Sequence, residues 1–430
     1  MAQTARRPFG QNYAWVVVGA TFVSLLAAAG LRAAPGVLMT PLHDAFGWQR
    51  GEISAAAAVG IFLYGLVGPF AAALMQTLGI KRTLLAGLAL MSASTALSLF
   101  MREPWQFIAT WGVLSGFGSG AVASVLAGAV VNRWFVSSRG LVMGLLSAST
   151  ATGALVFLPV MAALAEHGGW RPVVLAVSVV CAALIPLAAL LMVERPSDVG
   201  LKPFGATEAV ETPPAGRAID SVALAFQALF RAGRTPAFWL LFGTFFVCGL
   251  TTNGLVGTHL ISFCGDRGLP LVAAAGLLAM MGVFDLVGTT ASGWLTDRFD
   301  PRRLLFVYYG LRGLSLMVLP FTHFDAVSLS VFAVFYGLDW IATVPPTLRL
   351  ANEAFGDRDA PIIFGWVLVG HQAGAATAAF GAGLLREIQG NYVDAFVIAG
   401  AFGLVAAAAA LAIRRGPGDP EPEVAEPQMI

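Results

Sequence analysis

Charge is the scarcest thing in this 430-residue sequence: 11% of its residues are Asp, Glu, Lys or Arg, against about 25% in soluble domains. A chain so poor in charge cannot cover itself with polar surface, which excludes an ordinary water-soluble fold. What charge there is balances, with 25 Lys and Arg against 24 Asp and Glu and a pI near 7.8. No basic face is left for nucleic acid, and composition points to no charged partner. Three cysteines, Cys181, Cys248 and Cys264, stand far apart without C-x-x-C spacing, which argues against a disulfide framework and a metal centre. Paired carboxylates, a nucleophile motif and a phosphate-cradling loop with lysine are all missing. The sequence therefore offers neither an enzyme's constellation nor ATP coupling, and it requires no cofactor.

Apolar runs are what it has in plenty, with 57% hydrophobic residues. A hydrocarbon core of about 30 Å needs roughly 20 apolar residues per crossing, and stretches of that length recur. Between charged or turn-rich breaks they predict spans near 13–39, 50–76, 83–100, 104–131, 138–165 and 170–193. A second set follows near 237–263, 270–296, 303–321, 326–350, 360–385 and 391–413. Residues 194–236, with Pro196, Pro203, Pro213 and Pro214, read as a linker, and the Pro- and acid-rich tail 415–430 as disordered. The expected organisation is a six-helix bundle over 1–193, the linker, and a second bundle over 237–414. Arg6 and Arg7 imitate a twin-arginine export signal, but the apolar run behind them continues past any cleavage site and eleven more spans follow.

Charge placement tests the count. With a cytoplasmic start and twelve spans, only Arg50, Arg102, Arg171, Arg267 and Arg386 fall outside, and Arg32 and Arg312 within spans. The other 18 Lys and Arg are cytoplasmic, as the positive-inside rule requires. An internal repeat at one constant offset aligns Lys81-Arg82 with Arg302-Arg303, Gly116 with Gly337, Trp134 with Phe355, Gly144 with Gly365 and Gly153 with Gly374. The fold class is thus an all-α membrane protein of twelve transmembrane helices in two pseudo-symmetric bundles, with a cavity between them near the midplane.

The loop Gly293-Trp294-Leu295-Thr296-Asp297-Arg298-Phe299-Asp300-Pro301-Arg302-Arg303 resembles the G-x-L-x-D-R-x-G-R-R loop of the major facilitator superfamily, departing at Asp300 and Pro301. The resemblance implies a gating loop built on Gly293, Asp297, Arg298, Arg302 and Arg303, with Asp297 capping backbone N–H groups or pairing with arginines. The equivalent first-half loop has Gln76 and Thr77 where the acid and arginine belong, and keeps Gly79, Lys81 and Arg82. Trp134-Phe135-Val136-Ser137-Ser138-Arg139-Gly140-Leu141-Val142-Met143-Gly144 is similar to the fifth-span approach of monocarboxylate porters and oxalate/formate antiporters. Asp285 matches the eighth-span acid which that group uses for protons and anions, while the arginine four residues on is here Thr289. The family's first-span lysine falls near Gly36, and this chain offers Arg32 one turn earlier.

Ionisable groups inside spans cost several kcal/mol unless they pair or face water. Arg32, Asp285, Arg312, Asp339 and His371 are therefore the candidates. The last four lie at one level, roughly 9 to 12 residues from the cytoplasmic ends of their spans. Arg312 reads as a structural partner of Asp339 or Asp285, or as a substrate contact. Asp285 is a candidate for substrate and proton coupling, or else a static partner of Arg312. His371, with Gln372, could donate to substrate and titrate near neutral pH, or bond a neighbouring carbonyl; no second ligand at i+4 makes it a metal site. Arg32, before Pro35-Gly36, is suited to a carboxylate or phosphate, or snorkels to the headgroups. The matching Thr251-Thr252-Asn253-Gly254 of the seventh span could add hydrogen bonds, chiefly from Asn253.

The expected function is a secondary transporter of a small organic anion, a carboxylate, proton-coupled or exchanging. Substrate contacts fall to Arg32, Asn253, Asp285, Thr289, His371 and Gln372, and proton coupling to Asp285 or His371. Drug or metabolite efflux is the alternative, and a non-transporting sensor the alternative of another class. A monomer is expected in a bacterial inner membrane, with both ends cytoplasmic.

Overall fold

The computed structural model describes residues 12–206 and 218–413; the basic start Arg6-Arg7 and the tail 415–430 lie outside them. In lipid every backbone N–H and C=O must be satisfied within its own segment, so the apolar runs become helices. The described residues form twelve rods: α1 (Tyr13–Phe46), α2 (Arg50–Thr77), α3 (Ile80–Ser98), α4 (Pro104–Trp134), α5 (Arg139–Gly168) and α6 (Trp170–Leu191), then α7 (Pro236–Asp266), α8 (Leu271–Thr296), α9 (Pro301–Phe321), α10 (Ala326–Gly356), α11 (Ile362–Gln389) and α12 (Val393–Leu411). Ten are long and apolar enough to cross a membrane, and α3 and α5 pack among them, α3 on α6 and α5 on α1. Boundaries lie close to the predicted spans except that α1 runs on past Pro41 to Phe46 and α10 past residue 350 to Gly356. Helix α1 stops where Gly47, at φ 69°, donates its N–H to the His43 carbonyl at 2.8 Å.

The repeat read from the sequence is present in the packing. Gly116 of α4 sits against Gly60 and Leu63 of α2, and its equivalent Gly337 of α10 sits against their equivalents, Met281 and Phe284 of α8. Likewise α1 packs on α5 as α7 does on α11, and α3 on α6 as α9 does on α12. The two bundles meet along α2 with α11 and α5 with α8.

Apolar side chains gain little by leaving lipid for one another, so helix contact depends on close approach of small residues. The crossing of α7 and α11 is one of the tightest cases, matched by Gly288 of α8 against the Leu338 carbonyl of α10. A Cβ on Gly249 would stand 1.8 Å from the His371 carbonyl oxygen, and one on Gly374 would stand 1.9 Å from that of Phe246. Only hydrogen fits in either place.

On the face opposite the linker, side chains of one bundle hold backbone of the other. Glu387 of α11 accepts from the Gly51 N–H at the start of α2, at 2.9 Å, and Glu166 of α5 accepts from the Val272 N–H at the start of α8, at 3.0 Å. Each pair is the repeat-equivalent of the other. Asp266 adds a bridge to Arg50 at 3.2 Å and to Arg386 at 2.7 Å.

The linker contains a helix the proline-rich reading did not predict, Ala218–Ala232. It packs on both α2 and α11. Trp366 donates to the Ala225 carbonyl at 2.9 Å, and Arg231 pairs with Asp359 at 2.9 Å.

Candidate functional site

Two local departures from α-helical geometry shape the centre of the molecule. In α7, residues Leu250–Val256 form a π-helical turn, in which one residue too many is accommodated per turn, a feature frequent at functional sites. The Thr258 hydroxyl donates to the Asn253 carbonyl at 2.9 Å. In α10, residues 340–343 leave the helix. The cause is Pro345-Pro346: neither has an N–H, so the carbonyls of Ile341 and Ala342 lose their helical donors.

Neighbouring groups fill the gaps. The Ala342 carbonyl accepts from the Ser292 hydroxyl of α8 at 2.5 Å, and the Ile341 carbonyl accepts from Val344 N–H at 2.9 Å. Trp340 N–H takes the Gly337 carbonyl at 3.1 Å, which is the acceptor Ile341 would use in a regular helix. The Ile341 N–H instead donates to Asp285 Oδ1 at 3.0 Å. Arg312 of α9 donates to the carbonyls of Asp339 and Trp340.

Arg312 is completely buried, and its Nε lies 2.6 Å from Asp339 Oδ2. Burying two charges is offset only when their geometry is good and their remaining hydrogen-bonding groups are used. The Arg312 side meets that condition through the two carbonyls and a contact of 3.1 Å to Cys248 Sγ, whereas Asp339 Oδ1 is buried with no hydrogen-bond partner among the described residues. Of the two acids considered as its partner, Asp339 makes the ion pair. Asp285 makes none among the described residues.

Between the bundles lies a cavity of about 220 Å³. Arg32 of α1 and Tyr64 of α2 form one side, with the guanidinium 4.2 Å from the centre of the phenol ring. Asn253 and Asp285 form the other, with Trp340 and Ile341 from the break in α10 and Gln372 from α11. Leu158, Leu278 and Met281 supply apolar wall. Arg32 makes no ion pair or hydrogen bond among the described residues; it lies against Tyr64 beside the cavity. Asp285 is 5% exposed. Its Oδ1 accepts from Ile341 N–H and from the Thr289 hydroxyl at 2.9 Å, and its Oδ2 makes no hydrogen bond among the described residues.

Four predicted residues, Arg32, Asn253, Asp285 and Gln372, thus share one cavity. Thr289 stands behind it as a donor to Asp285. His371 is buried between α7 and α11, its ring centre 4.9 Å from that of Phe245, with Nδ1 unpartnered among the described residues. At the linker face, Arg298 lies over Trp294 at 4.0 Å. Arg302 grips Asp300 through two donors at 2.7 and 3.1 Å. Asp300 also caps α9 by accepting from Arg302 N–H at 2.9 Å, while the Asp297 carboxylate makes no hydrogen bond or ion pair among the described residues. In the first bundle, the acid at the α3 N-terminus comes from the linker. Glu194 accepts from Ile80 and Lys81 N–H at 2.7 and 3.0 Å and pairs with Arg133.

Sequence reading missed Tyr64 and Glu194. Tyr64 precedes Asp285 by the same offset that separates Arg32 from Asn253, so the repeat itself carried the pointer.

Twelve rods in two matched bundles around a cavity lined by charged, polar and apolar side chains have the build of a membrane carrier. The Major Facilitator Superfamily model matches residues 20–376, and the chain belongs to that superfamily of transporters. Among curated proteins it is similar to monocarboxylate transporter 13 of Rattus norvegicus, with 28% identity over 393 residues, 91% of this chain and 86% of the relative. It is also similar to the MFS-type transporter YcxA of Bacillus subtilis (strain 168), with 25% identity over 386 residues, covering 88% and 90%. To monocarboxylate transporter 11 of Homo sapiens the identity is 25% over 407 residues, covering 93% and 82%.

Proposed function

We propose that the chain is a secondary active transporter of a small organic anion, a monocarboxylate, moved by alternating access together with a proton. The observation that carries this reading is the pair of opposite charges set apart across one cavity: Arg32 without an ion-pair partner among the described residues, and Asp285 with one oxygen uncommitted. A guanidinium presents a planar fork of donors to a carboxylate, and Asn253 and Gln372 add neutral donors. With Arg312 and Asp339 cancelling each other, the chamber is close to neutral. An anion entering alone would leave net negative charge in a medium of low dielectric; a proton on Asp285 restores the balance. The apolar wall suits a short hydrocarbon body, and about 220 Å³ has room for roughly seven waters at the ~30 Å³ each takes in the liquid. The names of two of the three relatives given above fit this substrate class.

Basic residues concentrate on the linker face, and the positive-inside rule supports a cytoplasmic position for that face and for both ends of the chain. Glu166, Glu387 and Asp266 then act as the latch of the outer side, and the Asp300–Arg302 clasp, with Gly293, Asp297, Arg298 and Arg303, belongs to the inner gate. Uptake of a panel of radiolabelled carboxylates into proteoliposomes under an imposed pH gradient tests the assignment. Accumulation of a monocarboxylate driven by an inwardly directed proton gradient supports it; indifference of every carboxylate to the gradient refutes proton coupling.

A further inference from the structure

We propose that Asp285 couples the cavity to the inner half of α10 mechanically: its Oδ2 meets the proton while its Oδ1 holds the Ile341 N–H, so that arrival of the proton loosens the break at 340–343. The proposal rests on the transport reading above and names the moving part. Asp285 is the acceptor that the broken helix lacks, at 3.0 Å. A carboxylate accepts roughly twice as strongly as a neutral group. When the proton arrives, the remaining bond is an ordinary one.

The break is built to respond to a single bond. Two prolines prevent it from closing into regular helix, and its other anchors, Ser292 and Arg312, hold carbonyls rather than N–H groups. Residues on either side of it have separate duties. Trp340 and Ile341 wall the cavity, while Arg349, a turn beyond the prolines, ties α10 to the end of α8 by donating to the Thr296 carbonyl at 2.6 Å. A change at Ile341 therefore pivots the inner end of α10 against α8, beside the loop at 297–303. The charged and titratable groups around Asp285 are Arg32 and Tyr64 across the cavity and Arg312 and Asp339 behind it. Arg312 and Asp339 neutralise each other, and Arg32 and Tyr64 are stacked, which leaves Asp285 as the group free to change charge.

The test is hydrogen–deuterium exchange of the full-length protein in lipid nanodiscs, read on the peptide spanning 336–348 and corrected for the intrinsic pH dependence of exchange. On acidification, wild-type exchange of this segment rises by about tenfold or more, as loss of one charge-assisted hydrogen bond implies. Asp285→Asn, which keeps a neutral oxygen toward Ile341, shows the faster exchange at every pH. Ser292→Ala, outside the cavity, weakens a different anchor and leaves the pH response in place. Proton-driven uptake by the same variants is measured in parallel. A segment that ignores pH while Asp285→Asn abolishes proton-driven uptake overturns this coupling alone. A pH response surviving in Asp285→Asn also overturns it. Proton-driven uptake surviving in Asp285→Asn overturns the transport reading of Asp285, and the coupling with it.

Discussion

At the scale of single residues the informative groups are those that lipid makes expensive. Arg32 and Asp285 could be picked from sequence because a charge inside a span needs water or a partner. Polarity alone does not say which side of a helix a group faces. His371 was chosen on the same grounds and Thr289 for standing at the arginine position of the resembled motif; both lie outside the cavity, His371 against Phe245 and Thr289 bonded to Asp285. Tyr64 carried no such cost, so nothing but its spacing from Asp285 marked it. Replacement of Arg32 by alanine is expected to reduce carboxylate uptake at least tenfold in proteoliposomes. Arg32→Lys recovers only part, because an ammonium can neither lie flat on Tyr64 nor grip both oxygens. Full recovery by lysine would show that a point charge is all the site needs. In Asp285→Asn, uphill accumulation under a proton gradient is lost while exchange of labelled for unlabelled anion persists, since the amide mimics the protonated acid.

At the scale of elements, the positions of the rods were readable because roughly twenty apolar residues between charged breaks admit one solution in lipid. The break in α10 was readable from Pro345-Pro346, but not the identity of its fillers. Ser292 and Arg312 lie 50 and 27 residues away from the groups they satisfy, and no local pattern encodes such pairs. The helix at Ala218–Ala232 was hidden by the surrounding prolines, although Val222, Phe226, Leu229 and Phe230 recur at helical spacing. Arg312→Met strands the buried Asp339 charge and is expected to cost about 3–5 kcal/mol, read as a lowered unfolding temperature in nanodiscs. Adding Asp339→Leu restores most of it; no restoration would mean that Arg312 matters through the α10 carbonyls rather than through the ion pair. At the start of α10, Asp325 accepts from the backbone and hydroxyl of Ser328, which holds its carboxyl below the ordinary carboxylate value. A lowered pKa stabilises the first turn at neutral pH and withdraws that help only as pH falls below the usual carboxylate range. Faster exchange at 326–329 is therefore expected in strong acid, and not in Asp325→Ala, where it is already fast.

At the scale of the whole molecule, the duplication was legible in glycines and basic pairs sharing one offset, while the carboxylates that join the bundles were not, because each reaches across to the other half. Glu166→Ala with Glu387→Ala removes both backbone clasps on the face opposite the linker. This double variant is expected to raise, several-fold, the rate at which a membrane-impermeant thiol reagent on that side reaches Leu278→Cys in the cavity wall. The native cysteines are buried. Unchanged labelling would show that packing of α2 on α11 and α5 on α8 closes that side without the carboxylates.

The duplication also sets a direction. Arg32 and Asn253 occupy one position of the ancestral half, and Tyr64 and Asp285 another, so the duplicated frame has become electrically lopsided: cation on one bundle, acid on the other. On the transport reading proposed above, cargo and proton are consequently held by different bundles. Once the anion has left, the charge of Arg32 is again matched across the cavity only by that of Asp285, so on that reading departure of the cargo and departure of the proton are tied to each other.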